Sequence, residues 1–147
     1  MVQLRPLSKQ DAEALAALHA LCFPPEACWD AKQMAGSLAL DTTIGFAVAE
    51  ETLIGFILLQ KVVDEMEVLT LCTHPTFRGQ GHGRALLQQA LTLPGIKTVF
   101  LEVAADNESA KHLYAHAGFQ ALSVRPGYYR REQGAVDAIN YRYLTES

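Results

Sequence analysis

The sequence predicts an α/β protein, a mixed β-sheet covered by helices, on three observations. Helical and strand periodicities of apolar residues alternate along the chain in the order ααβββαβαββ. A strand–helix–strand unit from Met66 to Val103 has a glycine-rich turn inside it, as a parallel, right-handed crossover requires. The 147 residues carry no internal repeat, low-complexity tract or Pro/Gly/Ser linker, which predicts one domain, 1–147, long enough to bury a core.

Each element has its own signal. Ser8 and Asp11 resemble a capping box, and Leu15, Leu18, Leu21 and Cys22 then recur at helical spacing up to Pro24-Pro25. A second short helix is predicted over Asp30 to Leu40. Ile44 to Ala49 and Leu53 to Val63 read as strands joined by a Glu-Glu-Thr turn, an antiparallel hairpin. Met66 to Thr73 reads as a third strand, closed by His74-Pro75. After the glycines comes a helix over Arg84 to Leu93, with Leu86, Leu87, Ala90 and Leu91 inward, stopped by Pro94-Gly95. Lys97 to Ala104 is a strand, and Asn107 to Ala117 a helix ended by Gly118. Phe119 to Val124 and Ala138 to Leu144 are the closing strands, with Arg125 to Arg131 read as a loop between them.

Composition narrows the function classes. Half the residues are apolar and the net charge is −4, so no global pull toward nucleic acid or an acidic membrane is expected. Three arginines and two tyrosines in residues 125–131 are too few to make a nucleic-acid patch on an acidic protein. Cys22, Cys28 and Cys72 form no Cys-x-x-Cys pair, which argues against a disulfide framework and a thiolate metal site. His112 and His116 share a helix face, where two solvated histidines are expected, and no metal. No apolar run approaches the ~18 residues of a membrane span. Met1 to Pro6 has no basic-then-apolar signal pattern, so a cytoplasmic protein is expected.

The chemistry concentrates in Arg78-Gly79-Gln80-Gly81-His82-Gly83-Arg84. The glycines let the backbone turn sharply and aim its N–H groups at one point. The following helix adds free N–H donors and a positive dipole end, and the arginines add formal charge, so the segment reads as a pyrophosphate cradle. It is neither a nucleotide P-loop, since no Gly-Lys-Ser/Thr follows, nor a Gly-x-Gly-x-x-Gly fingerprint. Its spacing, Arg78-x-x-Gly81-x-Gly83, resembles the Gln/Arg-x-x-Gly-x-Gly/Ala motif of the Gcn5-related N-acetyltransferase (GNAT) superfamily. Asn107-x-Ser109-Ala110-x-x-Leu113-Tyr114-x-x-x-Gly118-Phe119 resembles that family's second segment. The resemblance implies the family's fold, acetyl-CoA as cosubstrate, and a set of roles. Backbone amides around Leu71, Cys72 and Thr73 would bind the acetyl carbonyl and pantetheine, beside a bulge that opens a cleft. Residues 78–84 would hold the pyrophosphate, and Asn107 with Ser109 would meet the pantetheine arm.

Two residues stand out as proton carriers. Glu102 interrupts the apolar strand Val99-Phe100-Leu101-Glu102-Val103, where a carboxylate needs a partner or a wet cleft, and burial there would raise its pKa. An exposed sheet face would equally account for it. Tyr114 lies on the inward helix face, where packing alone would explain a tyrosine. The stretch Leu101-Glu102-Val103, with Asn107, Tyr114 and Gly118-Phe119 beyond, is similar to the bacterial ribosomal-protein-alanine N-acetyltransferases (RimI type). In that group the matching Glu accepts a proton and the matching Tyr donates one.

Arg125-Pro126-Gly127-Tyr128-Tyr129, with Gly134 and Asp137-Ala138, resembles the ending of the same group, and Cys22-Phe23-Pro24 with Trp29 resembles its peptide wall. The resemblance therefore implies direct acetyl transfer to a protein N-terminal α-amine, with a ribosomal protein among the candidate acceptors and with Trp29, Tyr128 and Tyr129 touching the peptide. The chain departs from the group in the strand Leu69 to Thr73 and in the longer Pro25 to Cys28 insert. A small amine or a protein lysine is the alternative acceptor, with Glu65 and Glu67 as candidate cation holders. A non-catalytic acyl-CoA-binding module is the third reading.

Overall fold

The run Ile54-Gly55-Phe56-Ile57-Leu58-Leu59 is apolar at successive rather than alternate positions, so a strand made of it must be covered on both faces. In the computed structural model, which describes residues 2–145, all six of these residues are buried. The chain runs β1 (Gln3–Pro6), α1 (Ala12–Cys22), α2 (Ala31–Leu38), β2 (Thr43–Ala49), β3 (Leu53–Val62) and β4 (Glu65–Thr73). It continues through α3 (His82–Leu91), β5 (Thr98–Ala104), α4 (Glu108–Ala117), β6 (Gln120–Arg131) and β7 (Gly134–Leu144). The strands form one sheet in the order β1-β2-β3-β4-β5-β7-β6. Every neighbouring pair is antiparallel except β4 and β5, which are parallel, as a strand–helix–strand crossover dictates.

The helices divide the core in two. Leu86, Leu87 and Ala90 of α3 and Tyr114 of α4 pack on one face with Ile57, Leu59, Val99, Leu101 and Val103. Leu15 and Leu18 of α1 and Met34 of α2 pack on the other with Phe56, Leu58 and Cys72. β3 feeds both clusters, which explains its unbroken apolar run.

Two expectations about the sheet change. Gln3–Pro6 is an edge strand on β2, exposed throughout and too short and polar to show a strand signal. Residues 125–131 are not a loop: β6 continues through them and pairs with β7 out to Arg131↔Gly134. Pro126-Gly127 suggests a break, but the register shift between Arg125 and Tyr129 absorbs both residues in a bulge. Gly127 takes a positive φ of 60° there, and its N–H donates to Oδ1 of Asp137 at 2.8 Å.

Candidate active site

The site begins where two strands part. β4 and β5 pair only at Glu65↔Thr98, Met66↔Val99 and Glu67↔Phe100. On its other edge β4 carries a bulge: Leu58 pairs with Thr70 and Leu59 with Val68, so Leu69 is the extra residue. Beyond it, Val68 to Thr73 on one side and Leu101 to Ala104 on the other flank a cleft of about 970 Å³.

The bulge and the strand alternation decide which backbone groups face the gap. The N–H of His74 donates to the carbonyl of Ile54 in β3. On an antiparallel strand neighbouring residues face opposite edges, so the N–H and C=O of Thr73 and Leu71 turn away from β3 and toward the cleft. The Thr73 carbonyl accordingly accepts from Nε of Arg78 at 3.2 Å and from Sγ of Cys22 at 3.3 Å. Cys72, expected among the cosubstrate contacts, turns its backbone to β3, where it pairs with Phe56, and its buried thiol lies under α1. Cys72 still lines part of the cleft wall.

The glycine loop forms the next wall. Gly79 and Gly81 have φ of 79° and 87°, the left-handed region that favours glycine, and nothing lies within 4 Å of a Cβ built on either. Gly81 is the N-cap of α3, so the N–H groups of His82, Gly83 and Arg84 are the free donors of its first turn. They point a positive dipole end at the cleft, and Arg78 and Arg84 also line it. A pyrophosphate fits this donor set. Gln80 is exposed and, contrary to expectation, lies off the cleft wall, because the chain turns outward between its two left-handed glycines.

Asn107 and Ser109 sit opposite the loop. Asn107 caps α4: its Oδ1 accepts from the Ala110 N–H at 3.1 Å and from the Ser109 hydroxyl at 3.2 Å, which leaves its amide N–H groups free. Both residues line the cleft.

Glu102 and Tyr114 approach the gap from opposite faces of the sheet. Val99, Leu101 and Val103 pack under α3 and α4, so strand alternation puts Glu102 on the α1 side. Its carboxylate is about one-fifth exposed; Oε2 lies 3.4 Å from Nε of Arg125 and Oε1 lies 3.5 Å from the Tyr129 hydroxyl. Tyr114 belongs to the core under α4, with its ring edge-on to Phe119 at 5.5 Å. Burial pushes its phenol well above the ordinary value of 10, so it stays protonated. Its hydroxyl has no hydrogen-bond partner among the described residues and is not sealed in; it meets the cleft.

The α1 side of the cleft is aromatic. Trp29 lines it, and its backbone N–H donates to Nδ1 of His19 at 3.3 Å. That contact makes Nε2 the protonated nitrogen, which meets Oγ1 of Thr70 at 3.1 Å. His19 is buried, stacks on Phe23 with centroids 4.3 Å apart, and burial pushes its imidazole down to about 4. Tyr129 joins this wall, but Tyr128 does not: it is 51% exposed and lies under the Arg125 guanidinium, 5.0 Å from its ring centre. The bulge at Pro126-Gly127 is what sends consecutive tyrosines to different surroundings. Sequence reasoning gave His19 no role and quoted Cys22 and Arg125 only as motif members; the contacts with Thr70, Thr73 and Glu102 come from residues tens of positions away and leave no local pattern. Among the described residues there is no group of three or more metal-ligating side chains, and no helix long and apolar enough to cross a membrane.

A strand splay, a helix N-terminus at its mouth and a carboxylate facing a phenol define an acyl-transfer class of site. The sequence pattern of the acetyltransferase (GNAT) family matches residues 12–119, and the chain belongs to that family. An uncharacterised protein of Mycobacterium leprae is 33% identical over 129 residues, which are 84% of this chain and 36% of that protein. The [ribosomal protein bS18]-alanine N-acetyltransferase of Salmonella typhimurium is 36% identical over 94 residues, 62% of this chain and 64% of that enzyme. The chain thus spans about a third of the first relative and slightly under two thirds of the second. The N-alpha-acetyltransferase RimI of Mycobacterium tuberculosis is 33% identical, over 88% of this chain and 85% of that protein. Among solved structures, the ribosomal-protein-S18-alanine N-acetyltransferase of Escherichia coli superposes with a TM-score of 0.92 and 26% identity, covering 100% of this chain and 96% of that one. Arabidopsis thaliana NAA60, at 22% identity and TM-score 0.86 over 98% of each chain, shares the fold.

Proposed function

We propose that the chain is a cytoplasmic, acetyl-CoA-dependent N-acetyltransferase that moves the acetyl group directly onto a protein N-terminal α-amine. One observation carries this reading: Glu102 and Tyr114 flank the same gap from opposite faces of the sheet, and the Leu71 and Thr73 amides line it between them. The bS18-alanine enzymes among the relatives support an N-terminal acceptor, a ribosomal protein included.

An α-amine has a pKa near ~8, so at neutral pH it must lose a proton before it can attack. Glu102 takes that proton through a water, and Arg125 and Tyr129 hold the carboxylate in place. The thioester carbonyl gains negative charge as the amine adds, and the β4 amides stabilise it. Tyr114, kept neutral by burial, protonates the departing thiolate. The amides of His82, Gly83 and Arg84 grip the pyrophosphate and hold the thioester in line. The acceptor enters from the α1 side, past His19, Phe23 and Trp29.

The small-amine alternative is weakened. Glu65 and Glu67 lie in the part of β4 that is paired with β5, exposed and off the cleft wall. The test is thiol release from acetyl-CoA with peptides bearing free α-amines, with blocked peptides bearing lysine, and with polyamines. Turnover on free α-amines is expected. Turnover on lysine or polyamines alone overturns the acceptor assignment.

A further inference from the structure

Two thiols share the cleft wall with a guanidinium, and no step of acetyl transfer uses either. Cys22 ends α1, is partly buried and lines the cleft. Its Sγ and Nε of Arg78 meet on the same Thr73 carbonyl, at 3.3 and 3.2 Å. Cys72 is buried in the apolar cluster against which Cys22 packs, and both cysteines line the cleft. The β4 residue that positions Cys22 is therefore the one whose amide faces the thioester end of the cosubstrate. A sulfur carrier, a cation and a pair of protein thiols converge on one point.

We propose that Cys22 is a modification site for coenzyme A, taking it up as a mixed disulfide, with Cys72 as the resolving thiol. The inference rests on the acetyl-CoA reading of the cleft. The oxidant is coenzyme A disulfide, the oxidised dimer of the cosubstrate's own thiol. The Cys22 thiolate attacks one sulfur of that dimer; a Cys22–coenzyme A disulfide bond forms, the dimer's S–S bond breaks, and one coenzyme A leaves as thiolate and takes a proton from water. Cys72 then gives its proton to water and attacks Sγ of Cys22. A Cys22–Cys72 disulfide forms and the second coenzyme A leaves. Two protein thiols are oxidised and one coenzyme A disulfide is reduced to two thiols, so electrons balance.

The division of labour follows from the surroundings. The neighbouring Cys72 thiol and the positive charge of Arg78 lower the pKa of Cys22 against the opposing effect of burial. Cys22 in turn, together with burial, raises that of Cys72. Cys22 is thus the nucleophile, and Cys72 keeps its proton until Cys22 carries no charge. Cys28 supplies an internal control, since its thiol contacts the Phe23 and Pro24 carbonyls, both at 3.3 Å. While coenzyme A is held on Cys22 it fills the cosubstrate cleft and acetyl transfer stops; attack by Cys72 releases it and leaves the internal disulfide, which a reductant reopens.

The test mixes the reduced full chain with coenzyme A disulfide and follows intact mass and peptide maps. The expected wild-type end point is a Cys22–Cys72 disulfide with two coenzyme A released. Cys72→Ser should stop with one coenzyme A on Cys22, and Cys22→Ser should stay reduced at Cys72. Saturating acetyl-CoA should slow the reaction, and oxidised glutathione, which lacks the pyrophosphate handle, should react more than ~10-fold slower. Modification centred on Cys28, equal rates with glutathione disulfide, or no adduct in Cys72→Ser overturns the proposal. Calorimetry of acetyl-CoA binding separates the two readings. No binding sinks the cosubstrate assignment and this site with it, whereas binding without an adduct sinks the thiol site alone. Circular dichroism, with Cys22→Ala as a second variant, excludes misfolding as the cause.

Discussion

Arg125 of β6 and Glu102 of β5 form an ion pair, with Nε 3.4 Å from Oε2. The pair links the β6–β7 hairpin to the carboxylate proposed as the proton acceptor. Arg125 is held in place for it by its pairing with Ala138 of β7, just before the Pro126-Gly127 bulge. Of the residues 125–131 read as a loop, Tyr129 and Arg131 line the cleft from within a paired strand.

Glu102→Gln keeps the side-chain volume and removes the proposed base. Turnover on a free α-amine should fall by ~100-fold or more while acetyl-CoA binding changes little. Steady-state kinetics with calorimetry on the same preparation checks this. Unchanged turnover would move the base elsewhere.

Asn107 serves two purposes that substitution can separate. Asn107→Asp keeps the Oδ1 that caps α4 but loses the amide N–H groups, so the melting temperature should hold while the KM for acetyl-CoA rises. Asn107→Ala loses both and should cost ~1 kcal/mol of stability as well. Thermal melts alongside KM measurements distinguish them.

Gly81→Ala puts a Cβ on a backbone at φ 87° with open space around it. Nothing clashes, so the cost is conformational, ~1–2 kcal/mol, or a loop that shifts to avoid it. Either outcome misaims the α3 donors, and weaker acetyl-CoA binding is expected by calorimetry, with folding retained.

His19 predicts an acid limb in the stability profile. Its folded-state pKa lies near 4, below the ordinary 6.5, so its contribution is present above pH 6.5 and is lost as pH falls toward 4. Melting temperatures should drop across that window in the wild type. His19→Gln should start lower and flatten the slope. An unchanged slope would assign the acid limb to the carboxylates.

Direct transfer predicts intersecting double-reciprocal lines for acetyl-CoA and peptide, and continued turnover in Cys22→Ser. Parallel lines together with complete loss in that variant would instead point to an acetyl-cysteine intermediate.

Much of the fold was legible because it rests on short-range pattern. The helices end within a few residues of where periodicity and capping place them, and the glycine loop reads as an anion cradle because its meaning is carried by adjacent residues. The Gln3–Pro6 strand escaped because an exposed edge needs no alternation. The long β6 escaped because a bulge and a turn share the same Pro-Gly signal. Gln80 and Tyr128 were placed by motif proximity, and their own exposure sets them off the wall.

The sequence by itself determined the order of the elements after the first strand, the anion-cradle pattern of residues 78–84 and the choice of Glu102 and Tyr114 as candidate proton carriers. The tertiary structure decided that these two meet the gap from opposite faces, that Arg125 and Tyr129 hold the carboxylate, and that Cys22, Cys72 and Arg78 share one corner. The reason is physical. Periodicity reports which face of its own element a residue occupies. The place where β4 and β5 part is set by a bulge on the opposite edge of β4 and by pairings between strands far apart in the chain.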